Sequence, residues 1–265
     1  VTSLSSINSI FDQLPSRMQT GLAIKWVRTS ILSSRHNELF NSHIIHELYE
    51  KNPDLYTAPY LYLCSATDHP EFIETNFSGD VRINAETLYF AAINKMLLAE
   101  YSKAELDLIN ALALSKKCRD MKDSILSKLS LCSFLNRTPE KIFRRKVPYG
   151  RTLPKIAEEI WNFDIALDTS FFPPFYNRFA QEIAYEHARG VILNLASTVT
   201  VIKLEDAQKL AGKDIDINVL LETLQAEKSL VATIKDDCIY FDDSSKIDLL
   251  STRIQEVQQL IESLS

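Results

Sequence analysis

The stretch VTVIKLEDAQKLAGKDIDINVLLETLQAEKSLVATIKDDCIYF, Val199 to Phe241, decides the fold of this chain. It opens on β-branched residues, and Ser197 to Ile202 reads as a strand. Leu204 to Ala211 follows as a short helix with Gly212 just past its end, as helix stops require. Asp216 to Lys228 is a second helix with Asp216 near its N-terminus. Leu230 to Ile234 and Cys238 to Phe241 are two strands joined by Lys235-Asp236-Asp237. Strand, helix, helix and hairpin in this length outline a winged helix.

Beyond it, Ile247, Leu250, Ile254, Val257, Ile261 and Leu264 recur at spacings of 3, 4, 3, 4 and 3. That spacing puts them on one seam of a helix. The seam covers about two and a half heptads, fewer than a free-standing coiled coil needs. A short isolated helix is marginal in water. The seam is therefore expected to bury itself against helices of other chains, which points to assembly rather than catalysis.

Upstream, one amphipathic helix follows another. The expected helices are 19–33, 37–50, 54–66, 84–98, 102–115, 121–135, 151–162 and 175–195, with prolines such as Pro53, Pro70, Pro139 and Pro148 between or at the starts of them. Ala85, Leu88, Tyr89, Ala92 and Met96 share one helix face, Tyr101-Ser102-Lys103-Ala104 turns the corner, and Leu108, Ala111 and Leu112 run along the next helix. This looks like a tetratricopeptide-like hairpin, although no strict period repeats. The expected fold class is mainly α: an α-solenoid of such hairpins, then the winged helix, then a C-terminal bundling helix. The expected organisation is an N-terminal segment 1–18, helical repeats 19–196, a winged helix 197–243 and the bundling helix 244–265.

The 265 residues are 46% hydrophobic, enough for a substantial core, and include only 5 glycines, which disfavours Gly-rich phosphate loops. The net charge of −6 offers no general attraction to nucleic acid or anionic membrane. Cys64, Cys118, Cys132 and Cys238 are scattered and read as reduced thiols of a cytoplasmic or nuclear protein. No run of 18 apolar residues predicts a membrane span. The opening Val1-Thr2-Ser3-Leu4 is unlike a signal peptide and lacks methionine, so the chain reads as trimmed.

Between Thr198 and Asp243 stand 5 lysines, no arginine and 10 acids. A duplex-binding face must neutralise phosphates, so DNA reading by this module is disfavoured. Arg137, Lys141, Arg144, Arg145, Lys146, Arg151 and Lys155 face only Glu140 and make a basic loop of net +6. Three readings stay open for it: a docking site for an acidic partner, a solvated connector, or, least favoured, RNA contact. RNA recognition prefers interleaved aromatics, and only Phe143 and Tyr149 are present. His43, His46 and Glu47 lie close together on one expected helix, where His43 and Glu47, four apart, could share a face, but no third strong ligand stands at fixed spacing, so no metal is expected. His187, beside Glu186 and Arg189, is expected in a surface charge network. Asp236-Asp237 and Asp242-Asp243 look like turn charges. No catalytic motif is found, and no cofactor or enzymatic activity is expected.

The order of elements resembles the PCI family, whose members scaffold the proteasome lid, the COP9 signalosome and translation initiation factor three. The likeness is carried by Glu100-Tyr101-Ser102-Lys103-Ala104 with Asn110-Ala111-Leu112, by Arg137-Thr138-Pro139-Glu140, and by Leu204-Glu205-Asp206-Ala207 with Lys209-Leu210. Ile247-Asp248 followed by Ser251-Thr252-Arg253 carries it furthest. Many relatives have Asp-Gly at the turn into the wing, where this chain has Lys228-Ser229. The resemblance implies a non-catalytic scaffold subunit of the proteasome lid, supporting ubiquitin-dependent degradation. A signalosome subunit is the alternative, and an RNA-associated member of the family a weaker one. The implied partners are other lid subunits, joined through winged-helix edges and the helix bundle, with no membrane and no DNA.

Overall fold

The computed structural model describes residues 13–67, 69–73, 80–115, 119–137 and 178–242. The chain is mainly helical with one small three-stranded sheet. Its residues fall into two compact units, Val1–Ala157 and Glu158–Ser265. Among the described residues no helix is long and apolar enough to cross a membrane.

The first unit holds α1 (Ser16–Leu32), α2 (His36–Asn41), α3 (Ile44–Lys51), α4 (Pro53–Ala66), α5 (Val81–Leu97), α6 (Tyr101–Leu114) and α7 (Arg119–Leu135). α1 buries Thr20, Ala23, Val27 and Ser30, a stripe at spacings that keep one face, and packs on α4. α4 begins at Pro53, where a missing N–H loses nothing, but also carries Pro59 in its interior. Pro59 cannot donate to the carbonyl four residues back, that of Leu55. The Thr20 hydroxyl of α1 donates to that carbonyl instead, at 2.9 Å. One polar bond thus repairs the break and fastens the two helices together.

α5 lies between α4 and α6 and is buried nearly all round. Of the expected face, Ala85, Leu88, Ala92 and Met96 are buried and Tyr89 is half-buried, and Ile83, Phe90, Ala91 and Ile93 are buried as well. Asp80 caps this helix by accepting from the backbone N–H groups of Arg82 and Ile83. The link to α6 has Ala99 at φ 58°, and the Glu100 N–H donates to the Lys95 carbonyl at 2.8 Å. That is a helix stop made in the left-handed region by a residue with a side chain. Ser34, His43, Arg137 and Lys228 also take positive φ at helix ends.

The expected helix 37–50 is broken. α2 ends at Asn41, and His43 takes φ 56° before α3 begins. The Ser42 hydroxyl donates to the Leu39 carbonyl at 2.7 Å, closing off α2. The break lets Leu39 join Ile45 and Leu48 in one core with α1 and α4. The predicted helix 151–162 lies outside the described residues.

The second unit holds α8 (Ala180–Thr198), β1 (Val201–Lys203), α9 (Leu204–Ala211), α10 (Ile217–Ala226), β2 (Ala232–Lys235) and β3 (Cys238–Phe241). Ala188, Ile192 and Ala196 of α8 share a core with Ala207, Leu220, Leu224, Ile239 and Phe241. α8 therefore packs with the sheet unit, although sequence reading drew the boundary after residue 196. The strand expected from Ser197 also starts later, because the helix runs on through Thr198. The Ser197 and Thr198 hydroxyls both donate back to the Asn194 carbonyl and hold that last turn. The strand order is β1-β3-β2, both pairs antiparallel, with Val201 opposite Tyr240 and Ile234 opposite Ile239.

Candidate functional site

Strands alternate their side chains across a sheet, and in the second unit this sorts two faces. Ile239 and Phe241 point into the core with Ala232 and Ile202. Val201, Tyr240 and Thr233 share the other face by register. Val201 is 44% exposed and Tyr240 42%, while Val231 just before β2 is 50% exposed, and Ile234, opposite Ile239 at the outer edge of the sheet, is 45% exposed. β3 is central, so β1 and β2 each present an edge that is unpaired among the described residues. Unpaired N–H and C=O groups beside exposed apolar side chains form a template for another strand.

The helices beneath are held rigidly. The Gln208 side-chain amide donates to the carbonyls of Gly212 and Ile215, both at 2.7 Å, and so braces the α9–α10 turn. Asp216 caps α10 by accepting from the Asn218 and Val219 N–H groups. The Gln225 amide donates to the Ala232 carbonyl, fixing α10 to β2. Arg189 of α8 pairs with Glu227 at 3.1 Å. Lys228, just past the end of α10, takes φ 57°, and Ser229 N–H donates to the Leu224 carbonyl at 2.9 Å. A lysine thus makes the left-handed turn. Asp236 and Asp237 take φ 51° and 56° between the paired Lys235 and Cys238, the signature of a two-residue type I′ hairpin. The exposed side of α10 offers Asn218, Val219 and Glu222 and no cation.

Of the residues singled out from sequence, the strands lie on this surface. Ile247, Leu250, Ile254, Val257, Ile261 and Leu264 lie outside the described residues. So do Lys141, Arg144, Arg145, Lys146, Arg151 and Lys155. Arg137 is exposed just past α7, its N–H donating to the Phe134 carbonyl at 3.1 Å. His187 is a correction: it is 6% exposed on the core side of α8, not on a charged surface. Its neighbours Ile183 and Ala188 face inward, so the helix turn carries it in as well.

The first unit gathers ionisable groups in two places. His43, His46, Tyr60 and Glu71 line a cleft of about 180 Å³, with the Tyr60 hydroxyl donating to Glu71 at 2.9 Å. Burial raises the Tyr60 hydroxyl pKa, and burial pushes the Cys64 thiol up to about 12. Both groups are thereby kept protonated, and neither is an activated nucleophile. Among the described residues no group of three His, Cys, Asp or Glu stands close enough to hold a metal ion. The second place is the α5–α6 contact, where Lys95 and Asp107 pair at 2.5 Å. Lys95 Nζ also lies 5.1 Å from the centre of the Phe72 ring. Burial lowers the Lys128 ammonium on α7 to about 8.

Sequence reading missed one feature of this unit. Arg17, Gly21, Lys25 and Arg28 on α1 line a groove of about 530 Å³, and their spacing of 4, 4 and 3 was there to be read. No protein-family model and no curated protein matches the chain.

Proposed function

We propose that this chain is a non-catalytic scaffold subunit of a PCI-type assembly, foremost the lid of the 26S proteasome regulatory particle, in the place of its non-ATPase subunit three. The observation that carries this reading is the sheet of the second unit, with two edges unpaired among the described residues and Val201, Val231, Ile234 and Tyr240 exposed beside them. Two helices joined by a braced turn and followed by an antiparallel hairpin support a winged-helix description. Helices that pack chiefly on their sequence neighbours in the first unit support a tetratricopeptide-like solenoid.

In this reading the edges pair with the winged helix of a neighbouring subunit through main-chain hydrogen bonds. The seam of Ile247, Leu250, Ile254, Val257, Ile261 and Leu264 joins a bundle built from several chains, and the basic loop from Arg137 to Arg151 docks an acidic partner surface. The exposed side of α10, lacking cations, is poorly suited to DNA phosphates. The proposed setting is cytoplasm and nucleus, where proteasomes work.

Affinity purification of the full chain with identification of the co-purifying proteins tests the proposal. Proteasomal ATPases and lid subunits are the expected companions. A cullin-deneddylating complex would move the chain to the signalosome, and recovery with mRNA-export or initiation factors would overturn the lid assignment. Ile254→Asp with Ile261→Asp is expected to leave the chain folded but block its incorporation, because a charge buried without a partner costs several kcal/mol. Undiminished co-sedimentation of that double variant with a megadalton particle refutes the bundle.

A further inference from the structure

α1 buries one stripe, Thr20, Ala23, Val27 and Ser30, and turns another outward. The outward stripe is Arg17, Gly21, Lys25 and Arg28, flanked by Met18 and Leu22. It forms one wall of the groove of about 530 Å³, and Arg82, Ile83 and Glu86 at the start of α5 form the other. Four cations and one carboxylate line it, in a chain whose net charge is −6. Glu86 is already engaged by Arg82 at 3.0 Å. Arg17 and Lys25 make no ion pair among the described residues. Met18 is 58% exposed and Leu22 41%, so apolar surface lies beside the charge.

Gly21 is the unexpected member. Glycine weakens a helix interior, and a chain with 5 glycines places one in the middle of α1. The fold does not require it: a Cβ built there meets nothing within 4 Å, and the backbone is ordinary helix. Its effect is outward, leaving a flat place on the groove where another backbone can approach closely.

We propose that this groove is a docking site for an acidic amphipathic helix of a partner protein. Apolar anchors spaced along such a helix would cover Met18 and Leu22, while carboxylates on its flanks would meet Arg17, Lys25 and Arg28. Charge complementarity selects the acidic partner and speeds its encounter. Nucleic acid fits less well, since the lining among the described residues has no aromatic ring for base stacking and includes a carboxylate. The inference stands on the first unit alone and does not rest on the assembly proposed for the second.

The test uses the full chain and a displayed library of random peptides about 15 residues long, enough for a helix to form on binding. The expected winners are acidic, with apolar residues three and four apart. Their affinity should fall by about tenfold or more in Gly21→Trp, which fills the groove, and in Lys25→Glu with Arg28→Glu, which reverses it. Circular dichroism of both variants should show an unchanged helix content and an unfolding midpoint no lower than that of the parent, since all three side chains face outward. No enrichment, winners that are neutral or basic, or binding unchanged in both variants would overturn the proposal. So would tighter binding of a 12-nucleotide RNA that the same substitutions abolish.

Discussion

Thr20→Val in α1 isolates the bond that replaces the one Pro59 removes. Valine keeps the shape and deletes the hydroxyl. Thr20 is 1% exposed and its bond to the Leu55 carbonyl is part-buried, so that carbonyl loses its partner with restricted access to water once the hydroxyl is gone. A buried acceptor left unpaired costs about 1–3 kcal/mol. Pro59→Ala returns an N–H to the position four residues beyond Leu55, and the carbonyl regains its helical partner. In that background Thr20→Val removes only a redundant bond and should cost about 0.5–1 kcal/mol. The two sites are therefore expected to couple by about 1–2 kcal/mol, well above the error of additivity for independent sites. Because the chain has two units, the transition of the first is followed by itself. Urea unfolding should be followed by Trp26, which packs on the α1–α4 core, in a Trp161→Phe background that removes the other tryptophan. An equal cost of Thr20→Val with proline and with alanine at 59 would refute the repair argument, whatever the effect of Pro59→Ala alone.

Four further outcomes follow from other features of the two units. Asp107→Ala leaves the Lys95 ammonium buried without its carboxylate and should cost about 3–5 kcal/mol, whereas Lys95→Met with Asp107→Leu should lie within about 1 kcal/mol of the parent or above it; a double variant as unstable as the single one contradicts this. Burial outweighs Lys95 and raises the Asp107 pKa above its ordinary value, so the contribution of Asp107 is complete below the unfolded carboxylate range and is lost as pH rises through the folded value. The apolar double variant should accordingly gain on the parent as pH climbs from that range, and a gain on acidification would reverse the sign. Ala99→Gly and Lys228→Gly each relieve a side chain held at φ near +58° and should raise stability by about 0.5–1 kcal/mol, read as a higher urea midpoint with unchanged slope. Iodoacetamide at about pH 8 should alkylate Cys238 and spare buried Cys64 and Cys132 until the chain unfolds, as peptide mapping will show; early labelling of Cys64 would contradict its raised pKa.

Elements governed by local rules were legible beforehand. Leu204–Ala211 and Cys238–Phe241 stand at the predicted residues, because a helix stop at Gly212 and a tight turn at Asp236-Asp237 are written within a few positions. The hairpin between α5 and α6 was legible for the same reason, as was its buried face. The other buried face of α5 was not, since nothing local says that a helix is covered on two sides. Nor was the break at His43, which arises because Leu39 must reach a core made by residues far along the chain.

The candidate surface divides in the same way. That β1, β2 and β3 exist follows from alternation and β-branching, which are properties of sequence alone. That β3 is central, and that Val201 and Tyr240 are left exposed, follows from pairing register and from which face α8, α9 and α10 cover. His187 shows the limit from the other side, since charged neighbours in sequence say little about which side of a helix meets the core. Local spacing is set by backbone geometry that every residue carries with it. Burial is set by what arrives from elsewhere in the chain, and only the folded structure brings that to the page.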